Sequence, residues 1–331
     1  MNEPATAAPS TVGVLDEFQT ELIAVGRRVP NKVFFLVLLA AWAALFHFLG
    51  NSTFGYVDTP SLFRWMLNSF LAREPDGSLG DDSLGLFVPL VVLGLFWVKR
   101  QELTATPLRL WWPGLALLAA AAVVHLLGYL VQQPRLSIVA LLGGIYALTG
   151  LAWGGAWLRK SFFPFFLLVF CVPLGPLLLP ITFPLRLAAT WIVENIARVI
   201  LALDVVRNGT MLSNPVNHYQ YDVVAACSGI RSLIGLGMVA TIVAFLNYRT
   251  WWRRIVIIAL AAPLAVVGNV VRLLTIVLAA EFGGQDAGNY VHAGGPGGVL
   301  SLLPYVPAMF GLALAVRYFH EPGAGDASKP A

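Results

Sequence analysis

Long apolar runs separated by short polar clusters dominate the chain. Eight of these runs are about 15 to 26 residues long, which as helices is enough to cross a hydrocarbon core of roughly 30 Å. They extend approximately over Val33 to Gly50, Leu84 to Val98, Leu110 to Val131, Leu136 to Leu158, Phe162 to Ile181, Gly229 to Leu246, Ile255 to Ala280 and Val299 to Val316. The pattern predicts an all-α polytopic membrane protein with about eight transmembrane helices.

A ninth stretch, Leu185 to Leu203, is apolar on average but contains Arg186, Glu194 and Arg198. A charged side chain at the bilayer centre costs about 2.5 to 3.5 kcal/mol on insertion scales. We therefore expect this stretch to be one interfacial helix. The next segment, Val205 to Ala226, has Asn-Gly and Asn-Pro turn signals before HYQYDVV, which predicts a small β-hairpin at the outer surface.

Basic residues indicate the orientation. With eight crossings and a cytoplasmic N-terminus, thirteen of the 21 Lys and Arg residues fall on the cytoplasmic side, as the positive-inside rule favours. Both termini are then cytoplasmic, and a single transmembrane domain covers residues 33–318 between tails at residues 1–32 and 319–331. We expect a multi-pass protein of the plasma membrane whose active site is on the extracytoplasmic side.

Composition excludes a soluble protein. Of the 331 residues 58% are hydrophobic and only 11% charged, compared with roughly 25% charged residues in ordinary soluble domains. The net charge is only +4 and no Lys/Arg block occurs, so the expected partner is the lipid bilayer and not nucleic acid. The sequence has no HExxH, paired-cysteine zinc spacing or nucleotide-binding glycine loop, so we expect no metal or other cofactor.

Cys227 is the first candidate for chemistry. It directly precedes Ser228 and an apolar helix, so Ser228 is a natural N-cap and the thiol lies at the positive end of a helix dipole. Arg231 follows one turn later, and its positive charge also favours the thiolate. The alternative interpretation is an inert buried cysteine, which is what we expect of Cys171 in the run FFLLVFCVPL.

Arg272 and His292 are expected at the same level of the membrane. Arg272 lies roughly 26 Å along the helix that begins at Ile255, near the outer edge of the core. Asn269, three residues earlier, is placed to hold it. His292 lies in a glycine-rich segment before the last span, and imidazole exchanges protons near neutral pH. Snorkelling of Arg272 to the headgroups and simple solvation of His292 are the alternatives.

A thiol, an imidazole and a fixed cation are the parts needed for cysteine acyl transfer. In that mechanism Cys227 attacks a peptide carbonyl, Arg272 stabilises the oxyanion and His292 protonates the leaving amine. The competing interpretation is a non-enzymatic transporter or scaffold in which Arg272 binds an anionic ligand or lipid. A third is simple proteolysis, with water as the final acceptor.

The stretches YDVVAACSGIRSL, from Tyr221 to Leu233, and GNVVRLLTI, from Gly268 to Ile276, together with the segment around His292, resemble the exosortase/archaeosortase family of membrane cysteine transpeptidases. The resemblance implies a catalytic trio of Cys227, Arg272 and His292. It also implies that the partners are exported proteins with a C-terminal sorting signal of the PEP-CTERM type. Such a signal is a short motif, a transmembrane helix and a basic tail, and the new carboxyl end passes to an acceptor.

One position departs from the family's pattern. Many relatives have an acidic residue directly after the histidine, whereas this chain has Ala293. Asp286, Glu281 and a backbone carbonyl are the remaining candidates for orienting His292.

Overall fold

The computed structural model describes residues 14–73, 80–222 and 230–321. Contacts divide the chain into two compact units, Met1–Trp65 with Leu90–Phe166 and Met66–Pro89 with Leu167–Ala331. The described residues are mostly helical, as expected for an all-α polytopic membrane protein. The single transmembrane domain over residues 33–318 and its tails remain a prediction.

Thirteen α-helices and three β-strands are described. The helices before the sheet are α1 (Val14–Arg28), α2 (Lys32–Phe48), α3 (Leu62–Leu71), α4 (Val88–Val98), α5 (Arg100–Thr104), α6 (Pro113–Leu130), α7 (Pro134–Trp153), α8 (Gly155–Leu167) and α9 (Gly175–Asn195). The remaining elements are β1 (Val206–Asn208), β2 (Met211–Asn214), β3 (Tyr219–Asp222), α10 (Ile230–Asn247), α11 (Trp251–Ala259), α12 (Ala261–His292) and α13 (Tyr305–Tyr318). Short 3₁₀ helices occupy Asp81–Leu86, Leu168–Cys171 and Pro296–Leu302.

Six helical stretches of the described chain are long and apolar enough to cross a bilayer, and a bent pair at the N-terminus would make a seventh. The six are Asp81–Val98, Pro113–Leu130, Pro134–Trp153, Leu177–Ile200, Trp251–His292 and Val299–Tyr318. The predicted first span lies in the bent pair, and the predicted sixth is the shorter apolar helix Arg231–Asn247. The predicted count of eight is therefore not confirmed within the described residues.

The predicted N-terminal tail contains a helix that the sequence analysis does not identify. Helix α1 meets α2 at an angle of 93°. Phe18 packs against Trp97 with ring centroids 4.5 Å apart, and Arg100 forms an ion pair with Glu21. These contacts attach α1 to α4 and α5, within the first unit.

The hairpin of α6 and α7 forms the centre of the first unit. It reverses at Gln132, whose φ is 54°. His125 and Ser137 face each other across it, with 3.1 Å between Nδ1 and Oγ, and Trp42 of α2 donates to the Leu141 carbonyl at 3.2 Å. Each bond satisfies a polar group inside an apolar helix bundle, which is why these residues are tolerated there.

The predicted fifth span, Phe162 to Ile181, is wrong as a single element. The helix ends in the 3₁₀ turn Leu168–Cys171, and a new helix begins at Gly175. Val172 has an extended conformation, with ψ of 121°. Pro173 follows it, and a residue before proline is sterically driven out of the helical region. The helix therefore breaks because of the steric restriction that Pro173 places on Val172. A hydropathy average over the segment does not detect this restriction.

The predicted interfacial helix, Leu185 to Leu203, is also wrong as a separate element, because it continues α9 and ends in the π-helical turn Ile196–Ile200. Leu177–Ile200 has the length and composition of a membrane span. Glu194 pairs with Arg207 of β1, whose Nε is 3.2 Å away. Such an ion pair lowers the free energy needed to place a charged side chain in a membrane span. Insertion scales for single residues do not include this gain.

Strands β1, β2 and β3 form an antiparallel sheet in sequence order, where the sequence predicts a single hairpin. The first turn passes through Gly209, whose φ of 64° suits glycine. In the second turn the Asn214 side-chain oxygen accepts from the backbone N–H groups of Val216 and Asn217, at 2.8 and 3.1 Å. The Asn-Gly and Asn-Pro pairs therefore lie at turns, but they delimit three strands.

The sheet packs on α9 and α12 of the second unit. Their shared core consists of Ala189, Val193, Ala197, Val205, Leu212, Tyr219, Tyr221, Val270, Leu273, Ile276, Val277 and Ala280. A separate core joins α10, α11, α12 and α13 through Leu236, Ala240, Ala244, Tyr248, Ile257, Ala261, Ala265, Ala308 and Leu312. Helix α12 belongs to both cores, so it connects the sheet to the helix that follows the Cys227 segment.

Candidate active site

The structure brings Arg272 and His292 together. The Arg272 guanidinium donates from Nη2 to the His292 carbonyl oxygen at 3.3 Å, across 20 residues of chain. In a straight helix a separation of 20 residues corresponds to about 30 Å. The contact therefore requires α12 to reverse its direction between the two residues.

The reversal occurs at Gly284. This residue has φ of 75° and ψ of −177°, and it interrupts the helical conformation of α12. That region of backbone space is open essentially to glycine alone. A Cβ built at Gly284 would have nothing within 4 Å, so glycine is required there by its backbone and not by crowding. The eight residues after it run back toward Arg272 and end at His292.

A carboxylate before the reversal attaches α12 to the sheet. Glu281 accepts hydrogen bonds from Asn214 Nδ2 at 3.1 Å, from Asn217 Nδ2 at 2.6 Å and from the Tyr219 hydroxyl at 3.0 Å. Three donors to one carboxylate make charge-assisted bonds that hold it in one orientation. Glu281 is therefore bound to the turn between β2 and β3 and to β3 itself.

A second set of bonds fixes the returning segment on β3. Gln285 Oε1 accepts from the Gln220 backbone N–H at 2.9 Å, and the Gln285 carbonyl accepts from the Tyr221 hydroxyl at 3.0 Å. Gly288 lies so close to this tyrosine that a Cβ there would be 2.0 Å from its hydroxyl oxygen. The strand that leads toward Cys227 and the segment that leads to His292 thus form one hydrogen-bonded unit.

Both tyrosines of β3 are held in the protonated state that these bonds require. Burial raises the pKa of Tyr219, and the hydrogen bond to the Glu281 carboxylate raises it further. Burial also raises the pKa of Tyr221, with a contribution from the charge of Asp286. A phenol that stays protonated remains a donor over the physiological range.

Cys227 and Ser228 lie outside the described residues. Strand β3 ends at Asp222, and α10 begins at Ile230, three residues after the cysteine. The predicted capping role of Ser228 and the nucleophilic role of Cys227 therefore remain predictions.

The other predicted supporting residues lie on the helices that follow. Arg231 is the second residue of α10, and its Nε is buried with no hydrogen-bond partner in the described chain. Asn269 is buried on α12, but the guanidinium of Arg272 donates to the His292 carbonyl and not to this amide. The three hydrogen bonds from the sheet make Glu281 a structural anchor, which weakens its candidacy as the orienting partner of His292.

Cys171, expected to be an inert buried cysteine, is buried, and its thiol lies 3.7 Å from the Gly85 carbonyl oxygen. Sequence reasoning missed Gly284 and Gln285 as determinants of the site. The pair Gly283-Gly284 after an apolar helix was the available signal, because paired glycines punctuate helices.

The second unit is thus a set of apolar helices with a small sheet. Its bonds hold the segment that ends at His292 against Arg272. A family model described as transmembrane exosortase (Exosortase_EpsH) matches residues 78–311, more than two thirds of the chain. The chain belongs to the transmembrane exosortase family. No curated protein and no solved structure matches it.

Replacing Gly284 with Ala should reduce stability through the backbone alone. We expect the free energy of unfolding to fall by about 1 to 3 kcal/mol, since alanine does not tolerate this conformation. Gly143→Ala is the matched control, because a Cβ at this helical position also has nothing within 4 Å. Thermal and denaturant unfolding of the purified protein in detergent measures both. Equal stability of the two variants would contradict the reversal at Gly284.

The bond between Tyr219 and Glu281 should make stability depend on alkaline pH. Tyr219→Phe should cost about 1.5 to 3 kcal/mol at neutral pH, the usual value for a hydrogen bond to a charged group. Because the folded-state pKa is raised, this contribution is present below the unfolded value of about 10 and is lost as the pH rises through the folded value. Wild type should lose stability above about pH 10 more steeply than Tyr219→Phe in pH-dependent unfolding. Tyr290→Phe, at a position 56% exposed, is the control. Parallel curves for wild type and Tyr219→Phe would refute the assignment.

Proposed function

We propose that the protein is an exosortase-like cysteine transpeptidase that cleaves the C-terminal sorting signal of exported proteins through a thioester on Cys227. Family membership supports a sortase-like transpeptidase activity in general. The observation that carries the specific proposal is the contact of the Arg272 guanidinium with the His292 carbonyl. That contact joins two of the three residues that the sequence motifs single out.

The attacking group in this proposal is the Cys227 thiolate. Its sulfur forms a bond to the carbonyl carbon of the scissile peptide, and the carbonyl oxygen becomes an oxyanion that Arg272 stabilises. His292 donates a proton to the leaving nitrogen as the carbon–nitrogen bond breaks. The released fragment carries the new amino group, and the rest of the substrate stays on the enzyme as a thioester.

An amine acceptor then attacks the thioester carbonyl. His292, now neutral, takes the proton from that amine, and the thiolate leaves as the new amide forms. Water in place of the amine gives a free carboxyl end and makes the reaction a simple proteolysis. Both outcomes use the same three residues, so they differ only in which nucleophile reaches the thioester.

The donors of Arg272 support its oxyanion role. A guanidinium has five N–H donors, and within the described chain one of them is used, by the His292 carbonyl. This bond fixes the orientation of the Arg272 guanidinium. The remaining N–H groups can then donate to the oxyanion of the substrate. Ser228 is proposed to cap α10, Arg231 to raise the local positive potential and Asn269 to support Arg272 through packing.

The substrate in this proposal is an exported protein that ends in a short motif, a transmembrane helix and a basic tail, as in PEP-CTERM signals. The reaction takes place at the extracytoplasmic face of the plasma membrane. The distribution of basic residues supports this orientation, with both termini in the cytoplasm.

Loss of the Arg272 guanidinium should slow processing much more than it affects folding. Arg272→Ala is expected to lower the rate at which a tagged substrate is shortened at least about a hundredfold, since removal of one oxyanion donor costs roughly 10² to 10³ in rate. Arg64→Ala, at an exposed position on α3, should change the rate little. The readout is the rate of substrate shortening at matched enzyme levels. A normal rate in Arg272→Ala would remove this residue from the mechanism.

The thiol requirement separates the enzyme from a transporter or scaffold that uses Arg272 to bind an anion. In a Cys171→Ala background, a membrane-impermeant maleimide added outside should label Cys227 and abolish substrate shortening. Cys227→Ser should be inactive, and the variant lacking both cysteines should be neither labelled nor active. Normal function of the cysteine-free variant would favour the scaffold. Mass spectrometry of the product's new C-terminus distinguishes transpeptidation from hydrolysis.

A further inference from the structure

An apolar groove of about 300 Å³ lies within the second unit, on the face of the helix that follows the Cys227 segment. Four residues of α10 line it: Leu233, Ile234, Gly237 and Thr241. Their spacing covers eight residues, or about 12 Å along the helix axis. The other lining residues belong to α9 and the segment 170–174 that precedes it, to the junction of α11 and α12, and to the 3₁₀ turn Asp81–Leu86.

We infer that this groove binds one face of the transmembrane helix of the substrate's sorting signal. The inference rests on the proposed function, which supplies a substrate with such a helix, and it adds where the enzyme holds that helix. The volume suits a few apolar side chains and not a whole helix. The groove therefore contacts a stripe of the substrate helix while the remainder faces lipid or other protein.

The lining suits a helix. Small residues of two of its helices, Gly237 on α10 and Ala262 on α12, let two helix backbones approach closely. Close approach over small residues is how helices associate within membranes, where apolar surface alone provides no preference for protein over lipid. A lipid chain needs no such small residues.

One charged group lines the groove, the carboxylate of Asp82. Its Oδ1 accepts from the Gly175 backbone N–H at 3.0 Å, which fixes the side chain. Leu84, two residues later, lies 3.2 Å from a Cβ built at Gly235, so this turn packs against the first half of α10. Asp82 therefore belongs to a turn that packs against the half of α10 that is nearer in sequence to Cys227.

The charge of Asp82 favours a peptide over a phospholipid. A helix whose N-terminus lies at the outer face presents unsatisfied N–H groups and the positive end of its dipole there, and a carboxylate stabilises both. A phosphodiester headgroup at the same place would be repelled by like charge. The sorting signal has this polarity, since its helix follows the cleaved motif and enters the membrane from outside.

The groove also has the register that cleavage needs. It begins on α10 at Leu233, six residues after Cys227 in the chain. A substrate helix seated along α10 from this end leaves its preceding motif on the side of α10 where the chain enters from Cys227. Binding of the non-reacting helix would then position the scissile bond, so that remote contacts contribute to the chemical step.

Photo-cross-linking tests the occupant directly. A benzophenone amino acid is placed at Ile234 in the groove or, as control, at Val123, which is 57% exposed on α6. The full-length enzyme carries Cys227→Ala, and the probe is a tagged reporter ending in the sorting segment of a protein from the same genome. We expect an enzyme–reporter adduct from Ile234 at least tenfold more abundant than from Val123. Adducts with phospholipid alone, or equal adducts from both positions, overturn the inference.

Filling the groove gives an independent measurement. A Cβ at Gly237 meets its nearest neighbouring atom, Phe170 Cε1, only at 3.8 Å, so Gly237→Leu extends into the groove without an initial clash. We expect this variant to lower kcat/KM about tenfold for the helix-bearing reporter and to leave cleavage of a short motif peptide without the helix unchanged. Gly143→Leu, into open space on α7, should affect neither. Equal effects of Gly237→Leu on both substrates overturn the inference.

Asp82→Asn keeps the acceptor for Gly175 and removes the charge. It should weaken reporter binding about two- to fivefold, the range for a charge at a helix N-terminus. An unchanged affinity would overturn the claim that the Asp82 carboxylate interacts with the N-terminus of the substrate helix. The two proposals fail separately: a reporter that wild type does not cut but that still forms the Ile234 adduct retains the groove and overturns the proposed function. A reporter that is cut but gives only lipid adducts at Ile234 supports the proposed function and overturns the groove as the binding site of the substrate helix.

Discussion

The reversal of α12 at Gly284 is the constraint on which the candidate site depends. Without it, Arg272 and His292 would lie about 30 Å apart on one rod; with it, a guanidinium N–H meets the histidine carbonyl at 3.3 Å. A backbone conformation that glycine alone adopts readily would not persist unless the residues on both sides were held. The surrounding bonds to the sheet provide that hold.

The small sheet holds both sides of this reversal in place. Glu281, before the turn, binds side chains of β2, of β3 and of their connection, and Gln285, after the turn, binds the backbone of β3. The sheet in turn packs on α9 and is tied to it by the ion pair of Glu194 with Arg207. Most of the described chain is held by apolar helix packing. At this reversal, ion pairs and hydrogen bonds instead define how the chain is oriented.

Local sequence patterns predicted the long helices well and the breaks poorly. The run Leu110 to Val131 corresponds to α6, because charged or turn residues bound it on both sides, whereas the run Leu136 to Leu158 is interrupted at Gly154, where α7 has ended and φ is 105°. The break at Pro173 and the continuation of α9 through Pro180 and Pro184 have opposite outcomes for the same residue type. Whether a proline ends a helix depends on its tertiary contacts, and hydropathy averaged along the sequence carries no information about those contacts.

The site was predictable in part for a related reason. Arg272 and His292 stand out because polar groups are rare among apolar runs, and the structure brings the two together. The bonds of Glu281 connect it to residues 62 to 67 positions away, which no local periodicity encodes. The sequence accordingly left Asp286, Glu281 and a backbone carbonyl as candidates for orienting His292, and it gave no sign that Glu281 accepts three hydrogen bonds from the sheet.

The most direct test of the account is whether positions 227 and 292 are neighbours. In a Cys171→Ala background, His292→Cys leaves thiols at these two positions, and a short bifunctional thiol reagent should join them in the folded protein. Mass spectrometry of the linked peptides identifies the product, and His320→Cys, beyond the end of α13, serves as the control. A high yield for the 227–292 pair with little for 227–320 is the result we predict. The absence of a 227–292 link, or equal yields for both pairs, would contradict the account.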